Sequence, residues 1–154
     1  MQILVIEFAR NVAGMSNAHS TEMDPNTPYP VINIMEDQKN IESRGGTMRL
    51  GGYDCELTHG TITQKAYGTN QVRERHRHRY EVNNKLLPQL EKNGLVVAGK
   101  YKSKNLVEIV ELNDHPFMVG AQFHPEFTSR PLRPNPLFQG FIEASKAYSQ
   151  KRID

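Results

Sequence analysis

His124 and Glu126, two residues apart in Gln122-Phe123-His124-Pro125-Glu126, form the pair in this chain best suited to proton transfer. A histidine can act as general base, and a carboxylate bonded to its second ring nitrogen fixes the tautomer and stabilises the imidazolium. The apolar run Phe117 to Phe123 leads directly into the pair. A buried strand would do the same, delivering side chains to the rim where open α/β sheets place their sites. A surface turn carries the same three residues, so spacing alone leaves both readings open. At the other end, Met1-Gln2 runs straight into a helix-like segment with no Ser or Cys where a nucleophile would sit. A base and its orienter without a nucleophile suggest half of an active site.

The run Arg73-Glu74-Arg75-His76-Arg77-His78-Arg79-Tyr80 alternates arginine with Glu, His, His and Tyr. As a strand it puts four guanidiniums on one face, a row able to bind phosphate or carboxylate groups at several points. A solvated edge strand that uses charge against edge-to-edge pairing fits equally well. His76 and His78 could share a metal, but no third ligand stands nearby in sequence, and no metal is expected. The segment Gly45-Gly46-Thr47-Met48-Arg49-Leu50-Gly51-Gly52 matches neither a Walker nor a dinucleotide spacing and is read as a loop meeting a strand. Cys55 falls on one face of an alternating stretch with Tyr53 and Leu57, which favours a buried thiol over a nucleophile. Glu22, in Ser20-Thr21-Glu22, looks locally like an ordinary exposed acid.

The elements that must position these groups are partly readable. Ile3 to Val12 is expected to be a buried helix, Asn17 to Pro30 a loop, and Pro30 to Met35 a short strand. Glu36 to Gly46 is charged and ends in two glycines, the composition of a mobile excursion. Thr47 to Leu50, Tyr53 to Leu57 and Gln71 to Val82 are expected to be strands separated by glycines. A helix capped by Asn83 or Asn84 should bury Leu86, Leu87 and Leu90 and stop at Gly94, with Pro88 tolerated in its first turn. Strands are expected over Leu95 to Ala98, Leu106 to Leu112 and Phe117 to Phe123. A final helix should start with Asn135 as cap and Pro136 at its first position. Its stripe is Leu137, Phe138, Phe141, Ile142, Ala144 and Tyr148.

The 154 residues suit one domain with a core. A formal net charge of +2, from 19 basic and 17 acidic side chains, argues against attachment to nucleic acid or membrane by bulk electrostatics. A hydrophobic fraction of 37% is low for a compact domain and points to extensive loops or missing core. One cysteine excludes an internal disulfide and fits a reducing compartment. Without a long apolar run or a signal-peptide pattern, a soluble cytoplasmic protein is the expectation.

Five segments together resemble the glutaminase domain of the CTP synthases, in that family's order and over essentially the whole chain. They are Ile6-Glu7-Phe8-Ala9-Arg10-Asn11, Asn17 to Glu22, Gly45 to Gly51, Glu74 to Asn84 and Gln122 to Ser129. The arginine–histidine run and the glycine-rich segment are particular to CTP synthases. His-Pro-Glu is shared by class I glutamine amidotransferases generally. The resemblance implies a three-layer α/β, flavodoxin-like amidotransferase domain, here expected to lack its first strands and the elbow carrying the catalytic cysteine, since Met1-Gln2 resembles the end of that elbow. It implies that His124 is the general base and Glu126 its orienter. It also implies that Gln2, Glu22 and Arg79 contact substrate L-glutamine, and that Glu36 to Gly46 is a short lid whose basic residue is Arg44 or Arg49. In the full-length family, ammonia from glutamine aminates UTP in a synthetase domain that uses ATP and Mg2+, GTP activates, and the assembly is a homotetramer. The chain alone is then expected to be inactive. The alternative is a non-enzymatic amidotransferase-like module binding nucleotide or a partner through its arginine row.

Overall fold

The computed structural model describes residues 1–34 and 48–151. The chain opens with helix α1 (Gln2–Asn11), which buries Val5, Ile6, Phe8 and Ala9 and leaves Ile3 and Glu7 in solvent, as a 3.6-residue period requires. Gly14, at φ +73°, turns the chain after the helix. Strands β1 (Ala18–Ser20) and β2 (Tyr29–Asn33) pair in parallel, and β2 also pairs antiparallel with β5 (Glu81–Val82). α1 packs on this three-stranded sheet, joined by the short helix α3 (Leu87–Lys92), which buries Leu87 and Leu90.

A second, antiparallel sheet has the order β4-β3-β6-β7-β8: β3 (Arg49–Leu57), β4 (Gln71–His78), β6 (Val96–Tyr101), β7 (Leu106–Leu112) and β8 (Met118–Ala121). Between β3 and β4 lies helix α2 (Ile62–Tyr67), and the chain closes on α4 (Pro136–Gln150). β7 is buried along almost its whole length and contributes to both cores. At the β3–β6 contact Gly99 faces Cys55, and a Cβ there would lie 2.6 Å from its Sγ. The site must therefore be glycine.

Several expectations are corrected. The stretch Asn17 to Pro30 contains β1 and the start of β2, so it is not all loop. Thr47 to Leu50 and Tyr53 to Leu57 are not two strands: β3 runs through the glycines and pairs residue by residue with β4, from Arg49↔His78 to Glu56↔Gln71. Gly51, at φ +101°, bends that strand without ending it. Gln71 to Val82 is conversely two strands in two sheets, parted at Arg79 and Tyr80. Helix α2 was not foreseen. Only its Thr61 cap and Gly68 are local signals; its first N–H groups are held by the buried carboxylate of Glu111, which accepts from Ile62 N at 2.7 Å and Thr63 N at 3.0 Å.

α3 begins later than its asparagines suggest, with Leu86 at the cap. The β6 and β8 expectations shift by a few residues, and β7 spans the expected range. For α4, Asn135 caps as expected, its side chain accepting from Leu137 N at 3.0 Å. Of its apolar stripe only Leu137 is buried, while Phe138, Phe141, Ile142 and Tyr148 are exposed. Among the described residues no helix is long and apolar enough to cross a membrane.

Candidate active site

β8 ends at Ala121, and Gln122 and Phe123 carry the chain to His124, which caps a single 3-10 turn over Pro125–Phe127. The His124 N–H donates to the Arg75 carbonyl at 2.9 Å, tying this loop to β4. His124 Nδ1 lies 2.7 Å from Glu126 Oε1, and the ring stacks on Phe127 with centroids 5.1 Å apart. With Nδ1 committed, Nε2 is the nitrogen left to exchange a proton with a reacting group. Slight burial acts to raise the Glu126 carboxyl, but hydrogen bonds from its own N–H and from His124 outweigh it and leave the group below its usual range. It therefore stays ionised and holds the ring.

The turn is clamped from below by Glu74, an inward-facing residue of β4 that sequence reasoning missed. Its Oε2 accepts from Thr128 Oγ1 at 2.7 Å, and its Oε1 accepts from Tyr67 Oη at 2.7 Å and Asn135 Nδ2 at 2.8 Å. Strand alternation in Arg73 to Tyr80 placed Glu74 on the inward face; nothing local named Thr128 and Asn135 as its donors.

Gln2, Glu22 and Arg79 do come together. They line one cavity of about 430 Å³ with Met48, Arg77, His78 and Tyr80. Gln2 arrives on the first residue of α1, Glu22 on the turn after β1, and Arg79 in the gap between β4 and β5. A carboxylate and a guanidinium on one polar cavity suit the ammonium and carboxylate of an amino acid. His124 and Glu126 do not line it.

The arginine row is real but shorter than expected. Arg73, Arg75 and Arg77 are exposed on β4, with Arg73 paired to Asp54 at 2.9 Å; Arg77 also borders the cavity, for which Arg79 has left the strand. The lid candidates divide differently. Arg44 lies outside the described residues. Arg49 is buried, with Nη1 on Glu108 Oε1 at 2.7 Å and Glu81 Oε1 at 3.2 Å and its guanidinium over the Tyr53 and Tyr101 rings. It offers no free cation to a ligand, which corrects that reading.

Burial raises Glu81 to about 8 against the pull of Arg49, and raises Glu108 likewise. One guanidinium thus faces two carboxyls that resist ionising together. Beside them His76 Nδ1 and His78 Nε2 are 2.9 Å apart, and burial next to Arg49 lowers these imidazoles to about 3 and about 4. The third metal donor that sequence reading did not find is Glu108, whose carboxylate comes within 4.8 Å of both histidine nitrogens. The Arg49 guanidinium already supplies positive charge at that carboxylate and repels a further cation. Cys55 is fully buried in β3, its thiol pushed far above the ordinary range by burial and then by Glu108. It is an inert core residue.

The histidine–carboxylate pair and the polar cavity occur together in a known class of protein. Residues 1–144 match the model of the glutamine amidotransferase class-I family, and the chain belongs to that family. Within it, the chain is 56% identical to the CTP synthase of Geobacillus kaustophilus over 94% of its own length and 27% of that protein's. It is likewise 56% identical to the CTP synthase of Geobacter sulfurreducens, over 99% of the chain and 28% of the relative. The chain thus spans little more than a quarter of these relatives. The acivicin-bound glutaminase domain of Trypanosoma brucei CTP synthase superposes with a TM-score of 0.89 at 37% identity, covering 96% of this chain and 57% of that one. The segment corresponds to part of the glutaminase domain of CTP synthases. A putative GMP synthase component from Thermoplasma acidophilum, at 18% identity and TM-score 0.51 over 70% of this chain and 49% of that one, shares the fold alone.

Proposed function

We propose that these residues form the proton-transfer and substrate-holding half of a thiol glutaminase that releases ammonia for the ATP-dependent conversion of UTP to CTP. The observation that carries this reading is the His124–Glu126 pair at 2.7 Å, which occupies Nδ1 and turns Nε2 to the role of proton carrier. In the full-length protein a cysteine thiolate, activated by His124, attacks the side-chain amide carbon of glutamine. The tetrahedral intermediate collapses as His124 Nε2 protonates the leaving ammonia, giving a thioester. Water, deprotonated by the same nitrogen, then releases glutamate. Glu22 would face the substrate's α-ammonium and Arg79 its α-carboxylate, with Gln2 beside them. ATP, Mg2+ and UTP would belong to a separate synthetase domain in a cytoplasmic homotetramer. A GTP-responsive basic residue, if carried by this chain, is Arg44, since Arg49 is committed to two carboxylates.

The single cysteine of these 154 residues is buried, which supports the reading that they need an upstream nucleophile to hydrolyse glutamine. The exposed guanidiniums of Arg75 and Arg77 favour a second reading, a non-enzymatic module that binds nucleotide. Ammonia release from glutamine distinguishes the two. It should be measured for this chain, for Cys55→Ser, and for a chain extended upstream through a cysteine elbow. Activity only in the extended chain is expected; activity of the chain as it stands, abolished by Cys55→Ser, would move the nucleophile to Cys55.

A further inference from the structure

We propose that Gln122 is a positioning residue for substrate affinity, its side-chain amide locking Arg79 into the cavity from both sides. Gln122 Nε2 donates to the Tyr80 carbonyl at 2.7 Å and lies 2.9 Å from His78 Nδ1. These partners are the residues immediately before and after Arg79, and both line the cavity with it. The ladders on either side stop short of Arg79. The β3–β4 pairing ends at Arg49↔His78, and the β2–β5 pairing starts at Asn33↔Glu81 in a different sheet. Arg79 and Tyr80 bridge the two sheets, and one buried amide spans the gap.

Gln122 is itself rigidly placed. Only 7% of it is exposed, and its own N–H donates to the Glu108 carbonyl at 2.8 Å, continuing the line of β8 along β7. Both imidazoles of the His76–His78 pair are neutral at physiological pH; His78 Nδ1 also lies 3.2 Å from the Tyr80 carbonyl, and in the tautomer that carries its proton on Nε2 it accepts one amide proton of Gln122 while Tyr80 takes the other. Two residues further on stands His124. A single amide therefore links the loop that carries the proton-transfer group to the loop that carries the carboxylate-binding guanidinium. Its loss should loosen substrate binding while leaving proton transfer intact.

The inference rests on the glutaminase reading, and its test uses the upstream-extended chain. Gln122→Met keeps the volume and removes both donors. It should raise KM for glutamine about 10-fold, the scale of a lost charge-positioning hydrogen-bond pair, with kcat within about 3-fold of the parent. In an Arg79→Met background the same substitution should add no further rise in KM, because its effect passes through Arg79. Gln122→Glu keeps the shape but cannot donate when ionised, so its KM should fall back towards the parent as pH is lowered and the carboxyl regains a proton. A general structural role would move neither the cycle nor this pH dependence. A drop in kcat at unchanged KM, or additive effects with Arg79→Met, overturns the inference and leaves the glutaminase reading in place. A parent that does not hydrolyse glutamine overturns both.

Discussion

The two faces of β4 treat charge in opposite ways. Outward, Arg73, Arg75 and Arg77 stand in water, and the Arg73–Asp54 ion pair there joins side chains that are both more than half exposed. Inward, Glu74 and His76 are buried and His78 reaches the wall of the polar cavity, while across the sheet Arg49 is held between Glu81 and Glu108. Exposed pairs contribute little because water screens them and side-chain entropy opposes them. Buried ones are costly to assemble and costlier to break, since removing one partner strands the other in low dielectric. Strand alternation therefore puts a chemically available surface and a fixed polar scaffold on the same eight residues.

That contrast can be broken most sharply at Arg49. Arg49→Met leaves Glu81 and Glu108 without their shared cation and should lower unfolding stability by about 3–5 kcal/mol, read from denaturant midpoints. A loss no larger than that of an exposed arginine would mean that the buried cluster is not a scaffold.

The pH dependence sharpens it further. Glu81 has a raised pKa, so its contribution is fully present below about 4.5 and is lost as pH rises through about 8. His76 and His78 have lowered pKa values, so theirs is present above about 6.5 and is lost as pH falls towards about 4 and about 3. The cluster should thus be most stabilising near pH 6.5 and lose stability as pH rises towards 8, with the raised Glu108 adding to the loss in the same direction. Glu81→Gln should make that descent shallower, which chemical denaturation at pH 6.5 and pH 8 would show.

Smaller effects follow at the turn. Thr128→Val deletes one donor to Glu74 and should cost about 1 kcal/mol in thermal unfolding. In an active, upstream-extended chain it should also lower kcat for glutamine hydrolysis, because the His124 turn is less firmly held. At the small end, Arg73→Ala should change stability by less than about 0.5 kcal/mol at moderate salt.

What the sequence disclosed follows the same division. Local signals carried well: the length of the α1 run and its Ala9-Arg10, the Asn135–Pro136 start of α4, and the alternation that turned the arginines outward. Groups brought together by distant chain segments did not. α2 depends on Glu111, 49 residues from Ile62. Arg49 is committed to carboxylates 32 and 59 residues away, and no neighbouring residue forecasts that. Glycines near residue 51 read as strand breaks until the pairing with β4 carried β3 through them. For the site, Gln2, Glu22 and Arg79 were reached through family resemblance rather than through any local pattern. Gln122 stayed hidden because its partners, His78 and Tyr80, lie 44 and 42 residues away.

The most direct measurement is the rate of glutamine hydrolysis by the upstream-extended chain before and after His124→Asn. The expected result is a fall of about 10²–10⁴-fold in kcat with an unchanged fold and little change in glutamine affinity, since the ring moves protons and the cavity binds substrate. A variant that hydrolyses glutamine at the parent rate would contradict the assignment of His124 as the base and detach the His124–Glu126 pair from the chemistry.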